Sequence, residues 1–331
     1  MMEVTFFFRK PTVQVSIETV FARLFPEMQR HIGVKQVSVK HNRVRPSHIV
    51  RNLIYCRRHR GELNHITGDI QYCALALPAK TTVMTVHDTV GLDRKDGSRV
   101  GRWLVYWLWY YLPLRRLRHV VCITEETRRR LAIHFPWAAP KLMVIHDPAD
   151  PAFVYCPKAF AAVPTVLHVG TRSNKNLERV AQALQGVACR LRIIGQLSDG
   201  QRQTLRACGI SYTNAAGISD EQLREEYRQC DIVSFPSLYE GFGLPVIEGF
   251  ATGRVVVTSQ REPMISVAGG AAIMVDPEDV ASMRAGFLTA IHNETLRNEK
   301  IAQGLQVVKR YAAEQIAREY VKLYQQIANE P

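Results

Sequence analysis

Apolar positions along the chain fall into short continuous runs alternating with segments of helical spacing. Residues 4–8, 81–86, 119–124, 165–169, 190–196, 232–235 and 255–259 are rich in β-branched or aromatic side chains and predict buried strands. Val34, Val37 and Val39 continue with strand character. Residues 16–25 place Ile17, Val20, Phe21 and Leu24 on one helical face, and residues 312–327 do the same with Ile316, Tyr320, Leu323 and Tyr324. An alanine- and leucine-rich segment following Asn64–Asp69 predicts a helix ending before Pro78. Ser219 and Gln222 have the spacing of a capping box for a helix running through Tyr227. Strands alternating with helices predict parallel sheets, whose ligands sit at the carboxyl ends of the strands.

A length of 331 residues suits two domains, each able to bury its own core. The expected division is a first domain over 1–157 and an alanine- and proline-rich linker at 158–164. A second domain over 165–311 and a terminal helical segment over 312–331 follow.

The second domain carries the strongest chemical signal. After the strand 232–235, Glu240-Gly241-Phe242-Gly243 forms a loop whose glycines let backbone approach a ligand. Pro245 suits the first turn of a helix and Gly253 the residue past its end, so amides from Leu244 to Ile247 are expected to face a ligand. Glu240 lies in the loop and Glu248 is expected in the helix's first turn. Carboxylates accept paired hydrogen bonds from vicinal hydroxyls, as on ribose or hexose. Earlier in the domain, Gly170-Thr171-Arg172-Ser173-Asn174-Lys175-Asn176 precedes a helix and combines a tight turn with two cations, an anion site by geometry and charge. Phosphate-binding cations near polyol-binding carboxylates point to a nucleotide sugar.

Glu-Gly-Phe-Gly-Leu-Pro-Val-Ile-Glu at 240–248 resembles the signature of the family 4 retaining glycosyltransferases, the group 1 glycosyltransferases of bacterial surface-polysaccharide biosynthesis. The resemblance is best over residues 166–279 and weakest before residue 60. It implies an α/β GT-B architecture: two Rossmann-like domains with parallel sheets facing across a cleft, the last helix returning to the first domain. It further implies a retaining hexosyltransferase that needs no metal or cofactor beyond the nucleotide diphosphate sugar. Lys175 and Arg172 would stabilise the leaving diphosphate. Glu240 would hold a donor-sugar hydroxyl, Glu248 the ribose, and Gly170, Gly241, Phe242, Gly243 and Leu244 would line the donor site. Gly195 falls where the family contacts the base. His87-Asp88, after the strand 81–86, resembles the N-terminal motif that faces the donor, so His87 joins the expected catalytic set. Residues 144–150, with Ile145-His146-Asp147-Pro148, resemble the last strand and turn of the first domain. The chain departs from the family pattern after its first strand, where Arg9-Lys10-Pro11-Thr12-Val13 replaces the usual glycine-rich loop.

Composition adds a partner question. Hydrophobic content of 47% and charged content of 22% are ordinary, but a net charge of +13 favours acidic partners. No nucleic-acid-binding module is recognisable, and nucleic acid would leave the glycine–glutamate site without a purpose. Seven scattered cysteines with no Cys-x-x-Cys point to a reducing cytoplasm, and the N-terminus lacks the features of a signal peptide. Residues 43–60 form a basic helical stretch, read either as a solvated face or as a phosphate- or lipid-facing one. The segment from Trp103 to Leu114 is apolar on every face and too short to span a bilayer. Arg94, Lys95, Arg99 and Arg102 precede it and Arg115, Arg116 and Arg118 follow, a pattern suited either to a buried helix or to peripheral contact with the cytoplasmic face of an anionic membrane. The expected acceptor is a lipid-linked or surface-polysaccharide glycan. Two other functions stay open, a catalytically silent GT-B scaffold or partner protein and a sugar-nucleotide epimerase.

Overall fold

A computed structural model of the chain describes residues 2–10, 16–42, 45–93 and 98–330. Arg43, Arg94, Lys95 and the departure at Pro11-Thr12-Val13 lie outside the described residues. The chain divides into two units, one of Met1–Pro148 with Ala313–Pro331 and one of Ala149–Ala312.

In the first unit, β1 (Glu3–Phe8), β2 (Gly33–Ser38), β3 (Leu63–Ile66), β4 (Thr82–Val86), β5 (His119–Cys122) and β6 (Leu142–Val144) form one parallel sheet in the order β2-β1-β3-β4-β5-β6. The strand β3 has no counterpart among the expected elements, because Leu-Asn-His-Ile shows no apolar run. All four of its residues are buried, the polar Asn64 and His65 included, with His65 bonded to the Tyr324 hydroxyl at 2.6 Å and to Thr85 Oγ1 at 2.8 Å. Tyr324 belongs to the helix Ala313–Ala328, which packs in the first unit against the helix Ser16–Met28. Phe6, Phe21, Phe25, His65, Tyr320 and Tyr324 make an aromatic cluster there.

Several expectations shift locally. The alanine- and leucine-rich segment is a short 3-10 helix, Gln71–Ala76, rather than an α-helix. The strand expected over 144–150 ends at Val144, and the backbone amide of Ala149 bonds instead to Tyr311 O at 2.7 Å. The aromatic segment comprises an α-helix Arg99–Val105, a π-helical stretch Tyr106–Tyr111 and an α-helix Leu112–Arg116. Tyr110 and Leu114 are buried, whereas Trp103 is 59% exposed, so one side is core and the other faces outward. Among the described residues, no helix is long and apolar enough to cross a membrane.

The second unit holds β7 (Thr165–Val169), β8 (Arg190–Ile194), β9 (Tyr212–Ala215), β10 (Ile232–Phe235), β11 (Val255–Ser259) and β12 (Ile273–Val275), all parallel, in the order β12-β11-β10-β7-β8-β9. The capping box forms as expected, Ser219 N donating to Gln222 Oε1 at 2.8 Å and Gln222 N to Ser219 Oγ at 3.2 Å. The boundary at 157 needs correction, because Ala149 onward packs in the second unit. Phe153 meets the Tyr227 ring edge-on at 5.1 Å, and Cys156 N bonds to Thr252 O. Residues 158–164 are likewise tied down rather than a free linker: Lys158 pairs with the buried Asp231, whose carboxylate also accepts from Ala161 N and Thr165 N.

Candidate functional site

The site follows from strand order. Strands β7 and β10 are hydrogen-bonded neighbours, so the loops leaving their carboxyl ends, 170–176 and 236–243, emerge side by side. Two asparagines fasten them. Asn174 donates to Tyr239 O at 2.9 Å and to Glu240 Oε1 at 3.2 Å, while its own carbonyl accepts from Leu238 N. Asn176, 3% exposed and in a left-handed conformation, donates to Pro236 O and Pro277 O. Side-chain amides bonded across both loops, one of them buried, fix them more firmly than their own turns could.

This bracing sets the central contact. Lys175 Nζ donates to Glu240 Oε1 at 2.7 Å and lies over the Phe235 ring at 4.5 Å from its centroid. Both side chains remain partly accessible, at 19% and 13%. Gly170, at φ +94°, leaves the space that Lys175 occupies, since a Cβ there would stand 3.0 Å from Lys175 Cγ and Cε. Gly195 has a similar packing reason: a Cβ would come within 2.8 Å of Thr171, whose hydroxyl donates to Gln196 O. Arg172 is exposed and its side chain forms no ion pair among the described residues.

The glycine loop turns into the helix Leu244–Thr252 through Gly243 at φ +112°, a conformation glycine adopts without penalty. The row of free amides expected from Leu244 to Ile247 is shorter than anticipated. Pro245 has no N–H, and Val246 N already bonds to Gly243 O at 2.9 Å. Phe242 is buried edge-on against Tyr311, which leaves its backbone rather than its ring to meet a ligand.

Glu248 departs from expectation more usefully. It lies in the second turn of the helix, 8% exposed, and accepts a hydrogen bond from the Tyr227 hydroxyl at 2.7 Å. Burial, then the neighbouring carboxylate, pushes the Tyr227 phenol well above its ordinary range, so it stays a donor. Tyr227 therefore orients Glu248 from below. Only its apolar helix position was visible in the sequence. Beneath Lys175, His168 on β7 is fully buried and held neutral, its pKa lowered to about 3 by burial first and by the Lys175 charge second. Its Nδ1 lies 3.4 Å from Ser234 Oγ and its Nε2 has no partner among the described residues.

His87 stands at the end of β4 in the first unit. Its Nε2 is 2.8 Å from Thr67 O, so that nitrogen carries the proton, and Nδ1 faces Asp147 Oδ2 at 3.9 Å. Asp147 is buried, which raises its pKa, while His87, His146 and Arg23 act in the opposite direction. Each unit is thus a self-contained cluster: Lys175, Glu240, Gly170 and Asn174 in one, His87, Asp147 and Thr67 in the other.

Comparison with known proteins bears on the family and the fold. Residues 163–293 match the family profile described as glycosyl transferases group 1. An O-antigen chain mannosyltransferase B of Escherichia coli is 32% identical over 107 residues, 32% of this chain and 28% of that protein. The GDP-mannose:cellobiosyl-diphosphopolyprenol alpha-mannosyltransferase of Komagataeibacter xylinus is 33% identical over 136 residues, covering 39% and 34%. The aligned region thus spans about a third of each of these relatives. The crystal structure of HepE from Anabaena in complex with UDP and glucose superposes with a TM-score of 0.74, at 14% identity, over 98% of this chain and 100% of that one. That likeness establishes the GT-B fold. Residues 163–293 of the second unit thus resemble the group 1 glycosyl transferases, over about two fifths of the chain.

Proposed function

We propose that the protein transfers a sugar from a nucleotide diphosphate sugar to a hydroxyl of a lipid-linked or surface-polysaccharide glycan, with retention of anomeric configuration. The observation that carries this reading is the Lys175–Glu240 contact at 2.7 Å, held between two loops at the carboxyl ends of adjacent parallel strands. A diphosphate entering there competes for Lys175 and releases Glu240 to accept a donor-sugar hydroxyl. Lys175, with the exposed Arg172, then stabilises the negative charge that develops on the leaving group, work that oriented cations can do in place of a metal. Glu248, oriented by Tyr227, accepts from the ribose hydroxyls. The Gly241–Leu244 backbone borders the donor, and His87 serves the first unit's side of the reaction.

Support for donor and acceptor classes comes from the relatives. One is named for GDP-mannose and a diphosphopolyprenol-linked acceptor, another for O-antigen chains, and the HepE structure holds UDP and glucose. GDP-mannose is the first donor to try. The exposed Trp103, Tyr106 and Trp137, beside Arg99, Arg102 and Arg115, support contact with the cytoplasmic face of an anionic membrane. Flotation with anionic liposomes at low and high salt tests that part, and absence of binding at low salt removes it.

The main test pairs thermal-shift screening against UDP-, GDP- and ADP-sugars with transfer assays of Lys175→Ala and Glu240→Ala. Each substitution is expected to lower kcat/KM by about 10²-fold, roughly 2.7 kcal/mol, at unchanged melting temperature. Full activity in both rejects the reading. An epimer formed from donor alone would favour an epimerase instead.

A further inference from the structure

The first unit contains a cavity of about 370 Å³ lined by Lys40, His41, Arg51, Ile54, Tyr55 and Arg58. Its walls are the segment just past the carboxyl end of β2 and one face of the helix Pro46–His59, where Arg51, Tyr55 and Arg58 recur at helical spacing. The charge here is one-sided. From Gly33 to Gly61 the sequence holds eight lysines and arginines and not a single Asp or Glu. Among the described residues, Lys40, Arg51 and Arg58 form no ion pair.

The cavity is also built rather than incidental. Asn52, 1% exposed, clamps the strand-end segment to the helix, donating to His41 O at 2.8 Å and to the Tyr72 hydroxyl at 2.7 Å and accepting from His41 N at 3.3 Å. His41 stacks on His48 at 4.3 Å between ring centroids, and Lys40 sits over the Tyr55 ring at 5.2 Å. His41 is held below the ordinary imidazole range by desolvation first, then by the positive charges of His48, Arg51 and Lys10. Crowding like charges costs free energy that a bound anion recovers.

We propose that this cavity binds a phosphoryl group, a phosphomonoester or diphosphate, carried by the acceptor. The two guanidinium groups supply paired donors and Lys40 a point charge, the combination that suits phosphate oxygens. Ile54 and Tyr55 contact the apolar or sugar part next to it. Three strand spacings, about 14 Å, separate β2 from β4, at whose end His87 stands. The acceptor is therefore extended, with its phosphoryl end remote from the hydroxyl that reacts. The acceptor part of this assignment rests on the transfer reading above; the phosphoryl pocket does not.

Equilibrium dialysis of the full chain with labelled inorganic pyrophosphate at low salt separates the two. Lys175→Ala, which lacks the cation proposed for the nucleotide diphosphate, is expected to bind through the pocket, and adding Arg51→Ala/Arg58→Ala to it to weaken binding about tenfold or more. Equal binding after the two arginine substitutions, with the fold confirmed by circular dichroism, overturns the proposal. So does an absence of pyrophosphate binding to Lys175→Ala. In transfer assays Arg51→Ala/Arg58→Ala alone should raise KM for a phosphorylated acceptor while leaving KM for the donor and for the dephosphorylated acceptor unchanged. A parallel arm uses phosphatidylcholine vesicles doped with phosphatidate. Displacement of wild type from them by pyrophosphate supports the pocket, and binding that pyrophosphate cannot displace assigns these cations to a lipid surface and overturns it.

Discussion

His65 on β3 and His168 on β7 invite comparison, because each is fully buried within its unit's sheet and each has its pKa lowered to about 3. Their surroundings differ. Both nitrogens of His65 are bonded, to Tyr324 and Thr85, and Tyr324 arrives from a helix 259 residues along the chain. His65 works as a bolt between the terminal helix and the first sheet. His168 has a long contact to Ser234, an unpartnered Nε2 among the described residues, and the Lys175 charge helping to lower its pKa after burial. His65 holds architecture together in the first unit, whereas His168 lies in the second on the strand that leads into the loop carrying Lys175. The two units spend the same chemistry on different tasks.

The largest expected effect follows from the bolt. His65→Leu leaves the Tyr324 hydroxyl buried without its partner and Thr85 with only its long contact to the Tyr320 hydroxyl at 3.4 Å, and a stranded buried group costs about 1–3 kcal/mol on top of the two bonds lost. Denaturant unfolding should therefore show a loss of about 2–5 kcal/mol, accompanied by lower protease resistance of the terminal helix. A loss below 1 kcal/mol would mean that the helix is anchored by its apolar face alone, through Ile316, Leu323 and Ile327.

How much of this was legible in the sequence differs between the units for the same reason. β10 and β11 show as apolar runs because Ile232, Val233, Phe235 and Val255–Val257 fill both faces of a central strand. β3 does not, since Asn64 and His65 are buried polar residues satisfied by partners that no local pattern announces. Asn64 closes on Gly61 at 2.9 and 3.1 Å, and His65 reaches across the chain. At the candidate site, Lys175 and Glu240 are visible through their glycine-flanked loops, and the structure brings them together. Asn174, Asn176 and Tyr227 are not, because a clamp is recognised by its partner, and theirs lie between 21 and 101 residues away. Glu248 lies one turn deeper in its helix than the sequence implies, since the helix begins at Leu244 and its first turn holds no acid.

A second, smaller effect concerns acid stability and involves both histidines. Their folded pKa lies far below the unfolded value of about 6.5, so below that pH the unfolded chain binds more protons than the native one. Their contribution is intact above about pH 6.5 and is lost as pH falls toward 3. Each should add a slope of about 1.4 kcal/mol per pH unit once its unfolded form is protonated. Asp147, raised by burial, acts in the opposite sense, and the carboxylates lowered by arginine partners, such as Glu126, add their own loss only nearer pH 4. Urea midpoints between pH 6.5 and 5 isolate the histidines. A flat profile there would show that neither histidine is held neutral in the native state, and half the slope that only one is.

The smallest expected effect separates the two histidines most cleanly. His168→Leu removes a neutral imidazole whose Nε2 makes no hydrogen bond among the described residues, so little favourable interaction is lost. Burying an unsatisfied nitrogen already costs free energy in the native state, and an apolar side chain of similar size avoids that cost. Stability should change by less than about 1 kcal/mol in either direction, against the larger loss at His65. The same substitution should abolish this residue's share of the acid slope while His65 keeps its own. If His168→Leu instead costs as much as His65→Leu, the nitrogen is satisfied by a buried water or ion, and the two histidines are alike after all.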